Sequence, residues 1–169
     1  MTRKEALEKV LAAYAGYYNI IRDSVTSGFS AEAVFDLKDE QYVLVKRAKI
    51  SEAISKEFVF FADTGLLTEE LLMHLADTAW ESGLARVEPV PNHRNSDITL
   101  FIIADSVDPA AAACVRKLRR SKTYMLGFRG WSNFRVIVCD LSSGKAVHNR
   151  LGAELKKTAD NIFQPNKKQ

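Results

Sequence analysis

The chain has 169 residues, 47% of them apolar, and carries 24 Lys and Arg against 21 Asp and Glu, a formal charge of +3. That length is enough for one domain with a sizeable core, and the composition excludes global disorder, a collagenous repeat and a supercharged tail. Two cysteines, Cys114 and Cys139, cannot form a disulfide framework, no apolar leader follows Met1, and the best apolar run, Ile98 to Ala104, falls short of a membrane span, so a cytoplasmic setting is expected.

From Arg3 to Arg22 apolar residues fall at Leu7, Val10, Leu11, Tyr14, Tyr18 and Ile21, the stripe of an amphipathic helix. The period then drops to two, with Ala33, Phe35 and Leu37 alternating with polar neighbours, and Lys38 to Gln41 reads as a turn into a returning strand, Tyr42 to Lys49. Phe58 to Ala62 and Ile98 to Ala104 are apolar at both parities, as strands covered on both faces require. Between them Thr68 caps a helix that runs to Ser82 and ends at Gly83. Asp108 and Pro109 open a second helix to about Ser121. Thr123 to Phe128 and Phe134 to Leu141 form a hairpin, Ala146 to His148 a short strand, and Asn149 to Phe163 a closing helix with Leu151, Leu155, Ala159 and Ile162 inward. The expected fold class is α/β (α+β): a mixed sheet with helices on both faces, in the order α-β-β-β-α-β-α-β-β-β-α, one domain over 1–163 with a frayed tail over 164–169.

The small net charge conceals a division. From Val115 onward 13 Lys and Arg face only Asp140, Glu154 and Asp160, a surplus of +10, while the first 114 residues stand at −7. Charge complementarity between the two parts of one domain is the preferred reading, because a dedicated nucleic-acid binder is usually basic overall. An anionic partner is the alternative. Its footprint would be Arg116, Lys117, Arg119 and Arg120 on one helix face, with Arg129, Trp131 and Arg135 following, cation and aromatic interleaved as on single-stranded nucleic-acid binders.

If the strands at Phe58 and Ile98 run parallel, their carboxyl ends share the sheet edge where open sheets hold ligands. Asp63 and Asp105 end those strands, and Thr64 and Asp108 lie beside them. A parallel strand from Thr123 would bring Arg129 and Trp131 to the same edge and leave Asp140 at the far one, near His93 and Arg94. Asp63 and Asp105 could together hold Mg²⁺ for phosphoryl chemistry. Turn and cap chemistry accounts for both acids without a metal and is preferred.

Other catalytic signatures are missing. His74, His93 and His148 lack zinc spacing, Cys114 and Cys139 read as small core residues, and there is no phosphate-binding glycine loop or nucleophile elbow. The opening order helix, three strands, helix, strand resembles that of restriction-endonuclease-like nucleases, which use an acid on the second strand and acid-x-Lys on the third. Here Asp36-Leu37-Lys38 has those letters on what reads as the first strand, and Glu57 to Asp63 places no lysine after an acid, so the resemblance stays topological.

The expected function is a non-catalytic binding or regulatory module acting on a protein partner or on a second copy of itself. Nucleic-acid or polyanion binding through Arg116 to Lys122 and the Arg129–Trp131 turn is the alternative, and a degenerate or metal-dependent nuclease or phosphoryl-transfer enzyme the second alternative. No cofactor is expected, Mg²⁺ entering only with the enzyme, and no membrane partner.

Overall fold

The computed structural model describes residues 1–36 and 54–164. The expected strand Tyr42 to Lys49, the turn before it and residues 165–169 lie outside them. Helix α1 (Arg3–Tyr14) opens with a reciprocal cap: Thr2 Oγ1 accepts from Glu5 N at 3.2 Å, and the Glu5 carboxylate accepts from Thr2 N at 2.7 Å. It stops eight residues before Arg22. Tyr18 and Ile21 keep the helical spacing by coincidence, because Asn19–Ile21 forms strand β1, antiparallel to β2 (Ala31–Asp36).

The sheet grows from β3 (Ile54–Leu67) and β4 (His93–Val107), which are parallel, as their two-sided apolar character requires. Even-numbered side chains of these strands, Phe58, Phe60, Leu100 and Ile102, face α2 (Glu69–Leu84) and α3 (Pro109–Lys117). Odd-numbered ones, Val59, Phe61, Phe101 and Ile103, face α1 and α4 (Lys156–Phe163). Both strands continue past Asp63 and Asp105, so neither acid opens a turn. Thr68 caps α2 as expected, accepting from Leu71 N at 3.2 Å. Gly83 does not end α2; it lies inside the helix, where a Cβ would come within 2.6 Å of Ile98 Cγ1, so the glycine sets how closely α2 approaches β4.

The chain after α3 departs most from expectation. The helix ends at Lys117, because Leu118 turns extended and buries its side chain. Only Ser121–Thr123 forms a strand, β5, and it runs antiparallel to β6 (Trp131–Asp140). It is β6 that lies parallel to β4, since Val136, Ile137, Val138 and Cys139 are apolar at both parities and β5 offers no such run. The sheet order is β1-β2-β3-β4-β6-β5, with β7 (Lys145–His148) also on β6. Asp140, paired with Ala104, therefore sits at the edge of Asp63 and Asp105, and Arg129 and Trp131 sit at the opposite edge beside His93 and Asn95.

Because β5 covers only the start of β6 and β7 only its end, the stretch between them has, among the described residues, no strand partner on the side away from β4. The Asn149 side chain fills it. Its Oδ1 accepts from Val136 N at 3.0 Å and Gly152 N at 2.8 Å, and its Nδ2 donates to Leu118 O at 3.1 Å and Phe134 O at 2.9 Å. A 3₁₀ turn, Leu151–Leu155, precedes α4, so the expected helix from Asn149 begins late. Leu155, Ala159 and Ile162 point inward, whereas Leu151 is exposed.

Candidate functional site

At the carboxyl edge of the parallel strands the two acids expected to hold a metal share an arginine. Arg3 Nη1 stands 3.2 Å from Asp63 Oδ2 and Arg3 Nε 3.1 Å from Asp105 Oδ2, while Ser30 Oγ donates to Asp63 Oδ1 at 2.5 Å. Asp140 is occupied by its own turn, accepting from Ser142 Oγ at 2.7 Å and Ser143 Oγ at 2.8 Å. Burial raises its pKa, but these bonds outweigh that and hold the carboxyl below its usual range. Among the described residues no group of three or more His, Cys, Asp or Glu side chains is placed to hold a metal ion.

On the α1 side, near the opposite edge, Glu57, Asp97 and Arg135 come from three neighbouring strands. Arg135 Nη2 lies 2.6 Å from Asp97 Oδ2 and 3.4 Å from Glu154 Oε2, and its Nη1 lies 3.6 Å from Glu57 Oε1. Glu57 also accepts from Thr99 Oγ1 at 2.7 Å and from the Tyr18 hydroxyl. Burial pushes the Asp97 carboxyl up, and neighbouring Glu57 adds to the rise against the pull of Arg135. Arg135, expected in an anion-binding face, is instead the internal counter-ion of this network. Asp36 lies on the second strand of the β1–β3 meander, not the first, with Lys56 as its Cα partner; Glu57 is followed by Phe58 and Val59, so no lysine stands two residues on.

The basic set divides further. Arg119 and Arg120 lie beyond α3, so the expected continuous helical face does not form. Arg120 turns back to α2, its Nη2 2.6 Å from Asp77 Oδ1 and its guanidinium 5.6 Å from the Phe134 ring centre. Among the described residues Arg120 and Arg135 alone pair with acids of the first 114, so charge complementarity between the two parts of the chain accounts for only these two cations. Arg116, Lys117 and Arg119 are exposed and have no ion pair among the described residues. Cys139 is a core residue whose thiol is pushed up to about 12 by burial, and burial also raises the thiol of the partly buried Cys114.

The most unusual surface is the loop joining β5 to β6, where a continuing strand was expected. Leu126 is 96% exposed, Phe128 85%, Met125 67% and Trp131 39%. Met125 and Leu126 hold φ of 50° and 54°, a left-handed conformation that costs a non-glycine residue about 1–2 kcal/mol. The backbone is nonetheless fixed. Tyr124 O accepts from Gly127 N at 3.0 Å and Arg129 N at 3.1 Å, and Tyr124 N donates to Gly130 O at 2.9 Å. The Tyr124 hydroxyl bonds Ser132 Oγ at 2.9 Å, and its ring meets His93 edge-on with centres 5.6 Å apart. Buried His93 donates from Nδ1 to Arg129 O at 2.6 Å, and Arg129 Nη1 donates to Pro89 O at 3.2 Å. At Gly130, φ +82°, a Cβ would stand 2.1 Å from Arg94 O, so no other residue fits. The loop is a braced knuckle displaying Met125, Leu126 and Phe128, none of which was expected to be functional. The only signal in the sequence is two closely spaced glycines, Gly127 and Gly130, flanking Phe128.

The chain belongs to the family described as domain of unknown function (DUF8052), whose profile matches residues 2–161. No curated protein and no solved structure matches it. No helix among the described residues is long and apolar enough to cross a membrane.

Proposed function

We propose that the chain is a binding module that docks on a protein partner through the knuckle of the β5–β6 loop. One observation carries the reading: a rigid, conformationally strained backbone presents Leu126 and Phe128 almost wholly to solvent. Burying such residues at home would remove an unfavourable exposure, and strain held in place by surrounding bonds is typical of ligand-contacting segments. A backbone held before binding loses little conformational entropy on docking, which favours a few apolar anchors as hot spots.

The knuckle's surroundings support one kind of partner. Lys122 lies over the Tyr124 ring, and Arg129, part of the loop, donates to Pro89 O. Two copies meeting tip to tip across a two-fold axis would bring these cations against each other, so the fitting surface is an apolar pocket with an acidic rim on a different protein.

The test compares wild type with a Leu126→Asp/Phe128→Ser double variant. A protein retained by the first and not the second is purified, and binding is measured between the two pure components. At least hundredfold weaker binding by the variant, with unchanged unfolding free energy, is expected. Loss of concentration-dependent self-association in the same variant, or of binding to vesicles rich in phosphatidylserine, would assign the knuckle to a second copy or to a lipid surface and overturn the protein partner.

A further inference from the structure

A second surface stands apart from the knuckle, at the gap in the sheet that Asn149 fills. A cleft of about 230 Å³ opens there between the end of α3 and the turn after β7, and Arg119, Arg120 and Arg150 line it together with Ser121 and Asn133. From this geometry we infer that the cleft is a binding site for a phosphate monoester.

Three arginines line one small cleft; the Arg120 guanidinium is held by Asp77, while Arg119 and Arg150 are exposed and have no ion pair among the described residues. A dianion bound there would give the unpaired Arg119 and Arg150 a counter-charge. Guanidinium forks match phosphate oxygens in pairs, and Ser121 and Asn133 add neutral donors. The mount is firm. Arg120 O accepts from Phe134 N at 3.0 Å, while Arg150 follows directly on Asn149, whose side chain makes four bonds to the backbone. Leu151, exposed at the rim, supplies an apolar wall, which suits an organic group on the phosphate better than a bare ion. The volume is below that of drug-sized pockets, so the ligand is small.

Titration calorimetry at fixed ionic strength with inorganic phosphate, phenyl phosphate, benzoate and a ten-residue oligothymidylate tests the assignment. Phenyl phosphate is expected to bind tightest, inorganic phosphate more weakly and benzoate least. Arg119→Gln and Arg150→Gln, both solvent-exposed and therefore safe for folding, should each weaken phenyl phosphate about tenfold, while Lys4→Gln on α1 changes nothing. Equal affinity for inorganic and phenyl phosphate would overturn the ester and leave free phosphate. No saturable binding of either, the same loss in Lys4→Gln, or tight oligothymidylate binding without phenyl phosphate binding would overturn the site.

Discussion

Replacing Asn149 with alanine is expected to lower the unfolding free energy by about 4 kcal/mol, a large part of the roughly 5–15 kcal/mol by which a domain is stable. The truncation leaves four buried backbone groups without partners, the N–H of Val136 and Gly152 and the carbonyls of Leu118 and Phe134. Each unsatisfied group costs about 1–3 kcal/mol, and local relaxation recovers part of the sum. Asparagine is uniquely suited here because it offers two acceptor positions and two donors on one short arm. Asn149→Asp keeps the acceptors but turns a carboxylate toward two carbonyls, so it should fare no better than alanine. Urea denaturation measures both variants. A loss below about 1 kcal/mol in Asn149→Ala would mean that the side chain does not bridge the gap in the sheet.

The second large effect falls on Arg135. Arg135→Met should cost about 3–5 kcal/mol at pH 7, because it strands Asp97 and Glu57 in a largely buried site without their counter-ion. The pH dependence follows from the same chemistry. Asp97 is already raised by burial, and loss of the guanidinium raises it further above its unfolded value. A carboxyl raised in the folded state favours folding while both states are protonated, and that advantage disappears as pH climbs through the folded value. The deficit of the variant relative to wild type should therefore be greatest near neutral pH and shrink as pH falls toward the unfolded carboxylate range near 4. Urea midpoints at pH 7 and pH 4.5 give the comparison. A deficit equal at both values would show that the arginine contributes packing and not charge.

Much of the scaffold was legible in local pattern. The two-sided apolar runs at Phe58 and Ile98 identified the central parallel pair, and Thr68 marked the start of α2 through the hydrogen bond it makes. The direction of β6 was also written in the chain, since Val136 to Cys139 is apolar at both parities, but position in chain order suggested β5 instead. That single exchange moved Arg129 and Trp131 across the sheet from Asp63 and Asp105 and dissolved the grouping expected there. The knuckle was hidden for a different reason. Met and Leu have no propensity for left-handed backbone, so nothing in Met125 and Leu126 announces it; bonds from Tyr124, His93 and Arg129, brought together only by the fold, impose it. Asn149 was equally silent, because its four partners come from separate stretches of the chain.

If Met125, Leu126 and Phe128 are held out for a partner, the fold should not need them, and the stability of the isolated chain tests this without knowledge of the partner. Leu126→Gly relieves a left-handed residue, a gain that the added freedom of the unfolded chain largely offsets, and Phe128→Ser removes an exposed ring. Denaturant unfolding of each variant should give a free energy equal to wild type or up to about 1 kcal/mol higher. A drop of more than about 1 kcal/mol in either would mean that these side chains pack against their own domain, and the docking account would fail.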